Sequence, residues 1–152
     1  MGDSRIPDDH ITASSQYNWV DHAPWKARLT TSGHSAWCSK QAVDPTPWIQ
    51  VDFSRDLYVT GLVTQGRDIQ YDQYVKSYEV AFSGDGQVWR PVTNASGTAI
   101  KFAGNTDRVQ RTTTKFDDVL RTRFLRIVPK EWNNGCCMSF EVMGCNRTEL
   151  KP

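Results

Sequence analysis

Few side chains in this chain are placed to do chemistry, and their spacing argues against catalysis. The three histidines, His10, His22 and His34, fall in irregular stretches and form no H-E-x-x-H or other ligand rhythm. There is no G-x-S-x-G elbow and no Walker loop. The acidic pairs Asp8-Asp9 and Asp117-Asp118 stand beside turns, where aspartate serves local hydrogen bonding rather than acid–base work. Four cysteines, Cys38, Cys136, Cys137 and Cys145, admit metal, thiol or disulfide chemistry, and the absence of a C-x-x-C pair speaks against zinc. Two N-glycosylation acceptors, Asn94 in Asn94-Ala95-Ser96 and Asn146 in Asn146-Arg147-Thr148, point with the cysteines to an oxidising compartment. No cofactor is expected. Calcium held by loop carbonyls and carboxylates would leave little trace in a sequence, and no calcium motif is present.

The chemistry left is recognition, and composition narrows its partners. Eighteen basic and 17 acidic residues give a net charge of +1, with the basic residues scattered, so a nucleic-acid partner is not expected. No apolar run approaches the ~18 residues that span a bilayer, and Met1 to Asp9 lacks the apolar centre of a signal peptide. At 152 residues the chain fits one domain. Because Met1 and Gly2 lead straight into it, the sequence reads as a piece of a larger secreted or cell-surface protein.

The elements that must position any site are strands. From Trp48 to Phe53, Ile49, Val51 and Phe53 share one face and Trp48, Gln50 and Asp52 the other. Tyr74, Tyr78, Val80 and Phe82 alternate likewise, with Lys76 as the exception, and so do Met138, Phe140 and Val142. Leu57 to Thr64 and Phe124 to Val128 are denser in apolar residues, as central strands are. Helical periodicity is absent. Turns such as Ser83-Gly84-Asp85-Gly86 divide these runs, which predicts an all-β antiparallel sandwich or barrel. The longest irregular stretch, Tyr17 to Pro47, is broken only by the strand-like Ala27 to Leu29, and loops of that length inside a compact domain are commonly functional.

Several segments in order, ITASSQY at 11–17, AWC at 36–38, WIQVDF at 48–53, VTGLVTQGR at 59–67, YVKSYEVAFSGDGQVW at 74–89, FAGNTD at 102–107, RFLRIVPKEW at 123–132 and MSFEVMGC at 138–145, together resemble the discoidin family, the C-type domain of coagulation factors V and VIII. The resemblance covers about residues 4–145 and implies a jelly-roll barrel or sandwich of about eight main strands. It also implies a binding module rather than an enzyme. In the branch holding discoidin domain receptors and carboxypeptidase-like adhesion proteins, the cysteine of AWC bonds one placed eight residues before the closing glycine-cysteine, which here pairs Cys38 with Cys137. Cys145 matches the closing cysteine, whose usual partner has no counterpart in the chain, and Cys136 matches no family cysteine. Trp37, Trp48, Trp89 and Trp132 fall in framework motifs and are expected in the core.

Family geometry implies three ligand-binding loops at one end of the barrel, opposite the termini: Tyr17 to Trp25, Thr31 to Gln41 and Arg67 to Gln73. The candidate ligand-binding residues are Tyr17, Trp19, Val20, His34, Lys40, Arg67, Asp68, Ile69 and Tyr71. Trp19 is expected to be exposed and Trp25, beside Pro24, to fold back on the barrel. Arg67 matches the arginine that follows TQG in collagen-binding members, whereas His34 and Gln73 stand where those members carry acidic residues. The leading expectation is recognition of an extracellular protein or glycan, with aromatic cleft walls and directed bonds from Arg67 and Asp68. The alternative is docking to phosphatidylserine membranes through Trp19, Val20, Ile69 and Tyr71 as apolar spikes. The interleaved charges Asp21, His22, Lys40, Arg67, Asp68 and Asp72 leave no positive rim for an anionic leaflet, which favours the first.

Overall fold

The computed structural model of the chain describes residues 6–17, 22–29, 36–67 and 71–145. These form eight strands, β1 (Ile11–Ala13), β2 (Trp37–Cys38), β3 (Ile49–Gln65), β4 (Tyr74–Ser83), β5 (Arg90–Pro91), β6 (Phe102–Ala103), β7 (Thr112–Asn133) and β8 (Cys137–Cys145), with two 3-10 turns at Asp8–His10 and Pro24–Ala27. All strand pairings are antiparallel. The order is β2-β8-β3-β7-β4-β5, with β1 added to β3 and β6 to β4. The expected all-β jelly-roll architecture is met in its sandwich form, since the described strands do not close into a barrel. Ala27 to Leu29, strand-like in sequence, is instead the end of a 3-10 turn followed by a single bridge from Arg28 to Phe140.

The two central strands are long because each serves both layers. The first part of β3 pairs with β1 and the second half of β7, and the last part with β8 and the first half of β7. Between them the register shifts from Asp52 to Leu57, and Ser54 takes φ 68°. Such a conformation in a non-glycine residue needs support. The Asp52 carboxylate supplies it, accepting the Ser54 backbone N–H at 2.8 Å and holding Arg123 through two bonds of 2.9 and 3.1 Å. Nδ1 of His10 lies 3.1 Å from both the Asp52 carbonyl and the Ser54 hydroxyl, which anchors the N-terminal segment at the same bend.

One apolar cluster fills the space between the layers, drawing Ile49, Val51, Leu125, Ile127, Tyr78 and Val80 from one and Leu62, Trp37, Met138 and Phe140 from the other. The alternation read along Trp48 to Phe53 holds, with Ile49, Val51 and Phe53 buried. Along β4 it holds only from Tyr78 onward. Irregularities at Val75/Ser77 and Ser77/Tyr78 shift the phase, so Val75 and Tyr78 both point inward and Lys76 is exposed. Of the tryptophans expected in the core, Trp37 is fully buried and Trp132 packs against the cluster. Trp48 and Trp89 do not join it. They lie half-buried on the outer face, on either side of Arg126, whose guanidinium carbon is 4.1 and 4.0 Å from their ring centroids.

Candidate ligand-binding cleft

At the end of the sandwich where β2, β3 and β7 finish and β4 and β8 begin, a cleft of about 530 Å³ is lined by Tyr17, His22, Ser39, Gln41, Arg67, Tyr71, Gln73 and Asn134 around the Cys38–Cys137 pair. Those cysteines are directly opposed in the β2–β8 register and joined by a disulfide, as the resemblance implied. The bridge forms part of the cleft wall. Cys136 beside it is buried and unbonded, and burial pushes its thiol up to about 12, which keeps it unreactive. Cys145 pairs through its backbone with Tyr58, and its side chain lies outside the described residues.

Three segments meet here, each tied by identifiable bonds. The 14–17 segment is fixed by the Tyr17 N–H donating to the Cys38 carbonyl at 2.8 Å and by the Trp37 indole donating to the Ser15 carbonyl at 2.8 Å. The Ser15 hydroxyl donates to Asp44 at 2.6 Å and accepts the Lys40 backbone N–H at 2.9 Å, joining the first segment to the second. The third closes on itself through the Arg67 N–H and the Gln73 carbonyl, 2.9 Å apart. Asn133 Nδ2 then donates to the Asp72 carbonyl at 2.7 Å, so the β7–β8 turn holds the loop from beneath. Asn134 completes that turn at φ 58°, in the left-handed region asparagine tolerates.

Within the cleft, Arg67 is held in one pose. Its Nη1 donates to Gln73 Oε1 at 2.9 Å, and its guanidinium carbon lies 4.8 Å from the centroid of the Tyr71 ring. The guanidinium makes no other hydrogen bond among the described residues, which leaves it donors for a ligand. Tyr17 and Tyr71, both lining the cleft, are 62% and 54% exposed. His22 is buried, with Nδ1 3.2 Å from the Ala36 carbonyl and its ring 5.9 Å from that of Tyr17.

Of the residues proposed from the sequence, Tyr17, Arg67 and Tyr71 therefore come together, while Trp19, Val20, His34, Asp68, Ile69 and Asn146 lie outside the described residues. Lys40 does not line this cleft. It lines a neighbouring groove of about 830 Å³ together with Asp8, Asp9, Thr12, Tyr17 and Trp25. Trp25 does not fold back into the core but is 36% exposed there. Gln73 and Trp25 stand within the loops implied by the resemblance but not among the candidate ligand-binding residues, and Asn134 lies outside those loops, where the Asn133-Asn134-Gly135 turn signal was the available pointer to it. Asn94 is exposed, at a turn in which its Oδ1 accepts the Ser96 and Thr98 backbone N–H groups, both at 3.0 Å, and it lines neither cavity. Among the described residues no group of three or more histidine, cysteine or acidic side chains is placed to hold a metal ion, and no helix is long and apolar enough to cross a membrane.

An all-β sandwich whose loops and end turn build one polar, aromatic-walled cleft defines a recognition domain. The chain belongs to the F5/8 type C domain family, whose model matches residues 10–142. Lactadherin from Sus scrofa is 38% identical over 153 residues, which take in 95% of this chain and 37% of that protein. The chain thus spans little more than a third of that relative's length. Among solved structures, discoidin II of Dictyostelium discoideum superposes with a TM-score of 0.75 at 24% identity, covering 87% of this chain and 52% of that one. A Clostridium perfringens module in complex with GalNAc-β-1,3-galactose gives 0.71 at 17% identity, covering 91% and 99%. At those identities the likeness to the two structures is one of fold.

Proposed function

We propose that this domain is a non-catalytic extracellular recognition module that binds a protein or glycan ligand in the cleft. The observation that carries the reading is Arg67, held by Gln73 and Tyr71 with spare donors in a cleft that two exposed tyrosines line. A group so fixed spends little further conformational entropy on binding. The disulfide and the exposed Asn94 support an oxidising compartment. The sugar complex of the Clostridium perfringens module lends the glycan arm some support.

Membrane docking is the second reading, favoured by the high exposure of Tyr17 and Tyr71. The two readings separate on a glycan and matrix-protein array run beside phosphatidylserine vesicles. Under the first, the domain selects an array component, and Arg67→Ala weakens that binding by about 1.5 to 3 kcal/mol, the range for a hydrogen bond to a charged group. Retention on the vesicles that is lost in Trp19→Ala and Ile69→Ala, with no array component bound, would instead establish docking to lipid.

A further inference from the structure

Tyr17 lines both the cleft and the groove beside it, so one exposed ring stands at the border of the two cavities. Beyond Tyr17 the groove has an apolar floor from Ile11, Ala23 and Pro24 and a second aromatic wall in Trp25. The Lys26 ammonium lies over that indole, 4.7 Å from its centroid. Around these surfaces stand polar groups of both signs. The Asp9 carboxylate and the Lys40 ammonium have no partner among the described residues, whereas Asp8 is engaged by Arg28 at 2.8 Å.

The composition of this groove selects among ligands. With the Asp9 carboxylate set among the Lys26 and Lys40 ammonium groups, the groove lacks the uniformly positive rim that an anionic lipid headgroup selects. An extended peptide would need a strand edge to supply main-chain hydrogen bonds, and the strand in this wall, β1, has three residues. Aromatic faces bordered by single, unpaired donors and acceptors suit a flat, polyhydroxylated and uncharged unit, whose C–H face packs on a ring while its hydroxyls reach the rim.

We infer that the groove is an extension subsite for a neutral oligosaccharide whose terminal unit occupies the cleft. Tyr17 stands between consecutive sugar units, Trp25 stacks on the inner one, and Asp9 and Lys40 bond its hydroxyls. This rests on reading the cleft as a saccharide site, and the test separates the two claims.

The domain is titrated with neutral mono- to hexasaccharides grouped by a shared terminal unit. Wild-type affinity should rise by about tenfold from the monosaccharide to the longer chains, the scale of one aromatic contact. Trp25→Ala should abolish that gain and leave monosaccharide affinity unchanged, while Arg67→Ala should weaken every length. A thermal melt checks that Trp25→Ala is folded. Should it not be, the double variant Asp9→Ala, Lys40→Ala must flatten the length dependence. Affinity independent of chain length, or a gain that survives these variants, overturns the extension subsite and leaves the cleft intact. Failure to bind any of the saccharides overturns both.

Discussion

Gly135 shows how tightly single residues set this cleft. A Cβ there would lie 2.7 Å from Nε2 of Gln73 and 2.9 Å from its Cδ, inside the closest approach real side chains make. Gln73 in turn carries Arg67. Gly135→Ala is therefore expected to push the glutamine aside and free the guanidinium. Because the flexible end of Gln73 moves rather than backbone, the stability loss should stay within about 1 kcal/mol, the ordinary size of a single-substitution effect. Ligand affinity should fall, though by less than in Arg67→Ala, because the guanidinium keeps its donors and loses only its fixed position. Parallel thermal melts and binding titrations check this, and a Gly135→Ala protein that binds normally would show that Gln73 does not position Arg67.

At the scale of elements, the bend of β3 and the outer face of the sheet each depend on an arginine from β7. The hydrogen bond from Arg123 holds the Asp52 carboxyl below its ordinary pKa, and the Ser54 N–H adds to that effect. A carboxylate depressed in the folded state contributes stability that is complete above its unfolded pKa and is lost as pH falls through the folded value. Wild type should therefore lose thermal stability below the ordinary carboxylate range more steeply than Asp52→Asn, which starts lower at neutral pH. Melting temperatures measured across the acid limb test this, and parallel curves would rule the pair out as a pH-dependent brace. Arg126, between Trp48 and Trp89 and donating to Gln50 at 2.9 Å, joins the start of β3 to the turn before β5. Arg126→Ala should cost about 1 to 2 kcal/mol from the paired cation–π contacts. Lysine, lacking the planar group, should restore only part of it in denaturant unfolding.

For the whole molecule, the Cys38–Cys137 bond spans 99 residues and closes nearly the entire sheet. In the chain-entropy account, constraining a loop of that length stabilises by up to about 4 to 5 kcal/mol. The double variant Cys38→Ala, Cys137→Ala should lose a large part of that in chemical denaturation, and it should also bind less well because the bridge lines the cleft. Normal binding by a destabilised variant would confine the disulfide to a structural role. Both described ends of the chain gather at the β3 bend, His10 at Asp52 and Cys145 opposite Tyr58, whereas the cleft sits at the Gln65 end. The described ends thus lie at the opposite end of the sheet from the cleft.

Local pattern was enough for the start of β3, because alternation in WIQVDF reflects a constraint each residue meets within its own segment, but it missed the first half of β7 and read Ala27 to Leu29 as strand-like. Family order then supplied the Cys38–Cys137 pair. Phase within β4 was beyond it, since the irregularities that turn Lys76 outward arise from how β7 pairs alongside. The same holds for the tryptophans. Trp48 already stood on the face opposite Ile49, Val51 and Phe53, but its meeting with Trp89 at Arg126, distant in sequence, comes from the pairing of β3, β7 and β4. Arg67 could be singled out from TQGR, but Gln73 as its support, Gly135 as the space for Gln73, and Trp25 with Lys40 along a second groove exist only where separate loops converge. A sequence records each residue's preference for solvent or interior; which polar groups face one another across a cleft is decided by the tertiary arrangement that brings them together.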